Sequence, residues 1–145
     1  MSTLWEETDE DYLNLIKDWT DPYPNPEIIK HDGIHVVRDD LLNAGSKVRF
    51  IDYLISSNKE INEWVFGSCP ATGYAQISLP IACKKHNKKA VLFMAKRDEK
   101  NLTEYQKRGI ELGVDYHWVE NGMLTVTQKR AKDYAAESSD RMVLP

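Results

Sequence analysis

The sequence predicts an α/β protein: a three-layer αβα arrangement around a mostly parallel sheet. Three observations carry that prediction. Short apolar runs alternate with stretches of helical periodicity, the pattern of βαβ units. One run, Ala90-Val91-Leu92-Phe93-Met94-Ala95, is apolar throughout, as in a parallel strand buried on both faces. Hydrophobic residues are 41% and charged residues 29% of 145, the balance of a single globular domain with a sizeable core.

The elements follow in order. Residues 1–20 contain a short amphipathic helix with Tyr12, Leu13, Leu15, Ile16 and Trp19 as its apolar set. Pro22, Pro24 and Pro26 forbid a helix and force an extended linker. Residues 1–33 are therefore read as a helix plus Pro-rich linker, and 34–145 as the α/β domain. Ile34–Val37 is a strand. Ser46–Ser57 is a helix whose Val48, Ile51, Leu54 and Ile55 share one face. Trp64-Val65-Phe66 is a short buried strand ending at Gly67-Ser68. A helix is expected over Gly73–His86, with Ile77, Ile81 and Ala82 inward; Pro80 implies a kink or a later start. After the Ala90–Ala95 strand come a helix over Leu102–Leu112 capped by Gly113, a strand over Val114–Val119, a helix over Met123–Glu137 and a last strand from Met142.

Composition excludes several function classes. A net charge of −4 gives no reason to expect nucleic-acid binding. The acidic N-terminus is not a signal peptide, and no apolar run is long enough to span a membrane. Cys69 and Cys83 form no Cys-x-x-Cys pair, and the four histidines are scattered, so no metal site is expected. Two thiols without a disulfide pattern fit a reducing cytoplasm.

The most informative segment is Arg38-Asp39-Asp40-Leu41-Leu42-Asn43-Ala44-Gly45-Ser46-Lys47-Val48-Arg49. A strand leads into paired acids, then a small-residue turn, then one lysine at the mouth of a helix. The positive end of the helix dipole and nearby Arg49 both favour a free amine at that position. A free amine condenses with an aldehyde. By local sequence alone, Lys47 also reads as a solvated lysine in a first helical turn.

This segment resembles the lysine motif of the fold-type II PLP-dependent enzymes, the tryptophan synthase β-like superfamily. Within it the resemblance is to the 1-aminocyclopropane-1-carboxylate deaminase and D-cysteine desulfhydrase group. Those proteins carry Arg-Asp-Asp or Arg-Glu-Asp, then Gly-Gly-Asn-Lys and an Arg. Ala44-Gly45-Ser46 stands here where Gly-Gly-Asn is usual. The resemblance implies a pyridoxal 5′-phosphate cofactor, with Lys47 forming the internal aldimine and Ser46 beside it.

A second segment, Ser68-Cys69-Pro70-Ala71-Thr72-Gly73-Tyr74-Ala75-Gln76, joins a buried strand to a helix. A helix N-terminus offers unpaired N–H groups that can hold an anion; a tight turn with Ser68 or Thr72 as an N-cap explains the same residues. In the resembled family this loop grips the substrate α-carboxylate. By that match Ser68, Thr72, Gly73 and Gln76 are the substrate-binding candidates. The family's usual Ser-Asn-His or Gly-Asn-His is missing, and Tyr74 takes part of the space of the asparagine that contacts the ring.

The resemblance covers about Ile34 to Pro145 and about half of a typical family member. It stops before the glycine-rich phosphate cup. Three expectations follow. The chain is the N-terminal part of a PLP enzyme, a lyase or deaminase acting on a small amino acid by elimination, deamination or β-replacement, completed by a second chain or a homo-oligomer. Alternatively it is a truncated non-catalytic relative that binds an amino acid or a partner protein. The third reading is a structural α/β module in which Lys47 is incidental. An exposed apolar surface is expected where a further domain would pack.

Overall fold

A computed structural model describes residues 8–120 and 122–145. The first helix, α1, spans Asp9–Ile16 and opens with a capping box in which the Thr8 and Asp11 side chains each bond the other's backbone N–H. Of its expected apolar set, the side chains of Tyr12, Leu15 and Ile16 lie outside the described residues; Leu13 is exposed.

The segment expected as a linker is more structured than its prolines suggest. Strand β1, Ile28–His31, pairs antiparallel with β2, Ile34–Val37, around Asp32-Gly33. Both turn residues have positive φ, 47° and 81°, the backbone a two-residue hairpin requires. The hairpin thus straddles the 33/34 boundary read from the sequence. The proline stretch itself is held in place. Tyr23 packs against the main core, and its hydroxyl donates to the buried Asp52 carboxylate at 3.3 Å. Burial and that carboxylate push the Tyr23 hydroxyl up to about 12. Trp19 meets Tyr53 edge-on at 5.5 Å.

The remaining chain alternates as predicted: α2 (Lys47–Ser57), β3 (Glu63–Phe66), α3 (Ala75–Lys85), β4 (Lys89–Ala95), α4 (Glu104–Glu111), β5 (Asp115–Val119), α5 (Leu124–Ala136) and β6 (Arg141–Val143). The last four strands form one parallel sheet in the order β5-β4-β3-β6. Alternate residues of β3 and β4 enter two cores. Trp64, Leu92 and Met94 pack with α2 and α3, whereas Val65, Val91 and Phe93 pack under α5 through Ala131. Helices therefore cover both faces, which makes the three-layer αβα fold and buries β4 on both sides.

Helix α3 starts at Ala75 rather than Gly73, and Pro80 lies inside it, fully buried. The missing proline N–H leaves the Gln76 carbonyl without a helical partner. That carbonyl faces Gly109 of α4, where any side chain would strike it and the Tyr116 hydroxyl. Among the described residues the hairpin carries exposed Ile28, Ile34, Val36 and Val37, and Leu41 and Phe50 add to the exposed apolar surface near α2. None of the described helices is long and apolar enough to cross a membrane.

Candidate functional site

The sheet topology selects one place for a ligand. From β3 the chain runs through α3 to β4 on one side; β6 arrives on the other side after α5 crosses the opposite face. The crevice outside the C-terminal ends of β3 and β6 is thus a topological switch point, where open α/β sheets bind ligands. Lys47 lies there. Its Nζ sits 5.7 Å from the ring centroid of Phe66, the last residue of β3. It lines a cavity of about 150 Å³ with Phe50, Phe66, Ala75, Leu144 and Pro145. Leu144, just past β6, is fixed by its N–H to Val65 O at 2.8 Å.

No carboxylate pairs with Lys47 among the described residues, whereas its neighbour Arg49 has two. Arg49, one turn on, is held by Asp21 at 2.6 Å, Asp39 at 2.7 Å and the Pro24 carbonyl at 2.7 Å. The hydrogen bonds that Arg49 donates to Asp39 and Asp21 raise the guanidinium, and Arg49 in turn holds the Asp39 carboxyl below its ordinary range. The role of the Arg-Asp-Asp motif here is to anchor the turn: Asp39 on Arg49, and Asp40 on Arg38 at 2.8 Å.

The lysine turn is clasped from α3. Gly45 has φ +74°, and a Cβ there would meet the Tyr74 ring at 2.6 Å and Ser78 Oγ at 3.3 Å. Tyr74 donates to Asn43 O at 3.1 Å, and buried Ser78 donates to Ala44 O at 2.5 Å. Tyr74 therefore lies over Gly45, outside the set of residues lining the Lys47 cavity. Ser46 is exposed at the start of α2 and makes no capping hydrogen bond with its side chain.

The second loop is wound around Cys69. A side chain on Gly73 would strike Cys69 Sγ at 2.6 Å, and the Gly73 N–H closes a turn on Pro70 O at 2.8 Å. The thiol is buried, which pushes it up; the N–H groups of Gln76 and Ala75 and the charge of Lys47 act the other way. The first amides of α3 are thus directed at sulfur. Gln76 is fully buried and spends its side chain internally. Its Nε2 donates to Ala71 O and Gly73 O, both at 2.9 Å, and its Oε1 accepts from Tyr116 at 2.9 Å. Its place in the structure is loop support. Ser68 is half-buried and Thr72 exposed, and neither hydroxyl has a hydrogen-bond partner among the described residues. Neither lines the Lys47 cavity.

Three supports escaped the sequence reading. Thr103 caps α4 in a capping box with Gln106 and also donates to Ala71 O at 2.7 Å. Tyr116 of β5 holds Gln76. Thr127 of α5 donates to Gly67 O at 2.6 Å, where α5 passes too close for any Cβ on residue 67. Of these only the Thr-x-x-Gln capping pattern at 103–106 is visible in sequence.

Comparison with solved structures gives the class. No protein-family model matches the sequence, and no curated protein matches it. An O-acetylserine-dependent cystathionine beta-synthase from Helicobacter pylori aligns over 83% of this chain and 43% of its own, with TM-score 0.63 and 21% identity. An ACC deaminase homologue aligns over 92% of this chain and 46% of its own, with TM-score 0.72 and 16% identity. A cystathionine beta-synthase from Bacillus anthracis aligns over 70% of this chain and 39% of its own, with TM-score 0.52 and 22% identity. The fold is therefore that of the fold-type II, tryptophan synthase β-like PLP enzymes. The chain spans less than half the length of these structures.

Proposed function

We propose that this chain supplies the lysine and the substrate loop of a PLP-dependent site acting on a small amino acid. The observation that carries the reading is the unpaired Lys47 amine at the switch point between β3 and β6. The fold shared with a cystathionine beta-synthase and an ACC deaminase homologue supports it.

The residues present fit part of such a group. Lys47 stands in an apolar-walled recess between Phe66 and Leu144, next to the start of α3. The recess is smaller than the roughly 300 Å³ at which ligand pockets begin, so a further wall must close it. No described side chain there is placed for a phosphate. A second polypeptide segment, from another chain or a further part of the same protein, completes the site in this reading. When bound, PLP supplies an aldehyde for the lysine amine and an electron sink for the bond broken at the substrate α-carbon.

The chain's own groups have separate tasks. The Lys47 amine would hold the cofactor, and as a free amine it would carry a proton to or from the substrate α-carbon. Ser68 and Thr72, with hydroxyls free among the described residues, donate to the substrate carboxylate. Tyr74 and Ser78 hold the turn that aims Lys47. Elimination and β-replacement would use this proton movement at the α-carbon, and the completing segment would set the outcome.

The test is an absorption spectrum of the purified chain with PLP, followed by borohydride reduction and peptide mass mapping. A visible band fixed by borohydride onto Lys47, and lost in Lys47→Ala, is the expected result. Equal labelling of Lys47→Ala would remove the reading and leave a binding role without catalysis.

A further inference from the structure

The sheet has one long open edge, and it is built to match itself. Among the described residues β5 pairs only with β4. The opposite edge strand, β6, is only three residues long. Edge strands are commonly guarded by lysine, proline or a bulge. β5, Asp115-Tyr116-His117-Trp118-Val119, has none of these.

The backbone directions follow from one bond. The Val119 carbonyl accepts from Lys96 N–H at 2.9 Å and so faces β4. A strand residue points its N–H and C=O to the same side, and successive residues alternate. Val119, His117 and Asp115 therefore face β4, whereas Tyr116 and Trp118 present their N–H and C=O groups to the open edge.

We propose that two copies of this chain pair antiparallel through β5, with the two-fold axis at His117. In that register Tyr116 lies opposite Trp118 of the second copy, and Trp118 opposite its Tyr116. Both are hydrogen-bonded pairs, so all four outward N–H groups of these residues find carbonyls. His117 meets its twin as the non-hydrogen-bonded pair between them. The side chains match as well. Tyr116 and Trp118 stack at 4.8 Å with planes 4° apart, on one face of the strand. Pairing extends that stack into a four-ring ladder of directly opposed aromatics, a favourable cross-strand arrangement.

The other face supplies charge complementarity. A groove of about 650 Å³ along the β5 edge is lined by every β5 residue and Glu120, with Phe93 of β4 and Val126 and Arg130 of α5. The second copy's Asp115, which keeps its bonds to its own Lys89 at 2.9 Å and His117 at 3.3 Å, arrives opposite Val119 in the groove that Arg130 also lines. Arg130 has no carboxylate partner among the described residues. Five-residue strands alone bury less than the ~1,000 Å² of a stable interface, so the dimer is concentration-dependent, with Kd at or below about 0.1 mM.

The test uses the whole chain. Sedimentation equilibrium should show twice the monomer mass as concentration rises. Trp118→Pro removes an outward N–H, at a position where an edge strand tolerates proline, together with the indole stacked on Tyr116, and should leave a folded monomer. His117→Cys decides the register independently. Non-hydrogen-bonded pairs bring Cα atoms to about 4.5 Å, within disulfide range. His117→Cys should therefore cross-link with oxidised glutathione, while the wild-type chain, whose Cys69 and Cys83 are buried, should not. A wild-type chain still monomeric at about 1 mM would overturn the proposal. A dimer that persists in folded Trp118→Pro, or that His117→Cys fails to cross-link, would overturn it too by placing the interface elsewhere.

Discussion

The two ends of the parallel sheet are built on opposite principles. At the N-terminal end each strand begins with a charge, and in spatial order the charges alternate: Asp115, Lys89, Glu63, Arg141. Lys89 bridges Asp115 at 2.9 Å and Glu63 at 3.3 Å, and Arg141 bonds Glu63 at 2.7 Å. Tyr134 adds a hydroxyl to Glu63 at 2.7 Å, with Arg141 over its ring at 3.9 Å. This ladder favours the order β5-β4-β3-β6, because exchanging neighbours would set like charges side by side. At the C-terminal end Lys47, Ser68 and Thr72 have no such partners among the described residues. The saturated end specifies the fold, and the other end leaves these three polar groups unpaired among the described residues.

The largest effect should come from breaking the saturated end. Glu63→Ala leaves Arg141, Lys89 and Tyr134 facing each other without their shared carboxylate. Removing one partner of a part-buried network of this kind costs about 2–3 kcal/mol. Urea unfolding at neutral pH checks it; a cost within about 0.5 kcal/mol would show that the ladder does not stabilise the sheet.

A smaller effect appears with pH. Burial opposes ionisation of Glu63, but Tyr134, Lys89 and Arg141 win and hold its carboxyl below the ordinary range. Asp115 behaves likewise, through Lys89 and His117. Lys89 is raised, chiefly by its bond to Asp115. A depressed carboxyl contributes stability above its unfolded pKa of about 4 and loses it as pH falls through the folded value. A raised lysine contributes below about 10.4 and loses it as pH rises through the folded value. Thermal midpoints should therefore form a plateau from about pH 5 to 10 that falls on both sides. Glu63→Gln should flatten the acid limb; an unchanged limb would assign acid sensitivity to other groups.

The same contrast explains what the sequence revealed. Apolar runs such as Ala90–Ala95 and the spacing of Val48, Ile51 and Ile55 reflect burial, and burial is written locally. The sheet and its helices were therefore legible. Strand β1 was not, because three prolines precede it and Lys30 and His31 interrupt its apolar residues; Asp32-Gly33 was the available hairpin signal. In the site, Lys47 and the Ser68–Gln76 loop stood out by motif. Their supports, Ser78, Thr103, Tyr116 and Thr127, did not: Ser78, Tyr116 and Thr127 read locally as ordinary helix or strand residues, and Thr103 reads only as a helix cap. Their partners lie 34, 32, 40 and 60 positions away. The direction of Tyr74 and Gln76 is equally a tertiary fact.

Between the two ends lies the clasp. Ser78→Ala removes the buried hydroxyl that bonds Ala44 O and leaves that carbonyl unpaired, at a cost of about 1 kcal/mol. Because the lost bond holds the lysine turn, the variant should also weaken capture of PLP at Lys47 while global unfolding stays cooperative. A titration of PLP absorbance against concentration checks this. Equal capture by Ser78→Ala would mean that Tyr74 alone positions the turn.

The smallest effect on stability should be that of Lys47→Ala. The lysine is exposed, and its described contact is the 5.7 Å approach to the Phe66 ring, a cation–π interaction worth about 0.5 kcal/mol at such a site. Alanine recovers a few tenths by helix propensity at the first position of α2. The two terms nearly cancel, so urea unfolding should place the variant within about 0.5 kcal/mol of the parent chain. A residue that can be removed at no cost to the fold, at the point where the sheet topology opens a crevice, is free to serve something other than folding. A loss above about 2 kcal/mol would instead make Lys47 part of the packing. The C-terminal end of the sheet would then be as saturated as the N-terminal one.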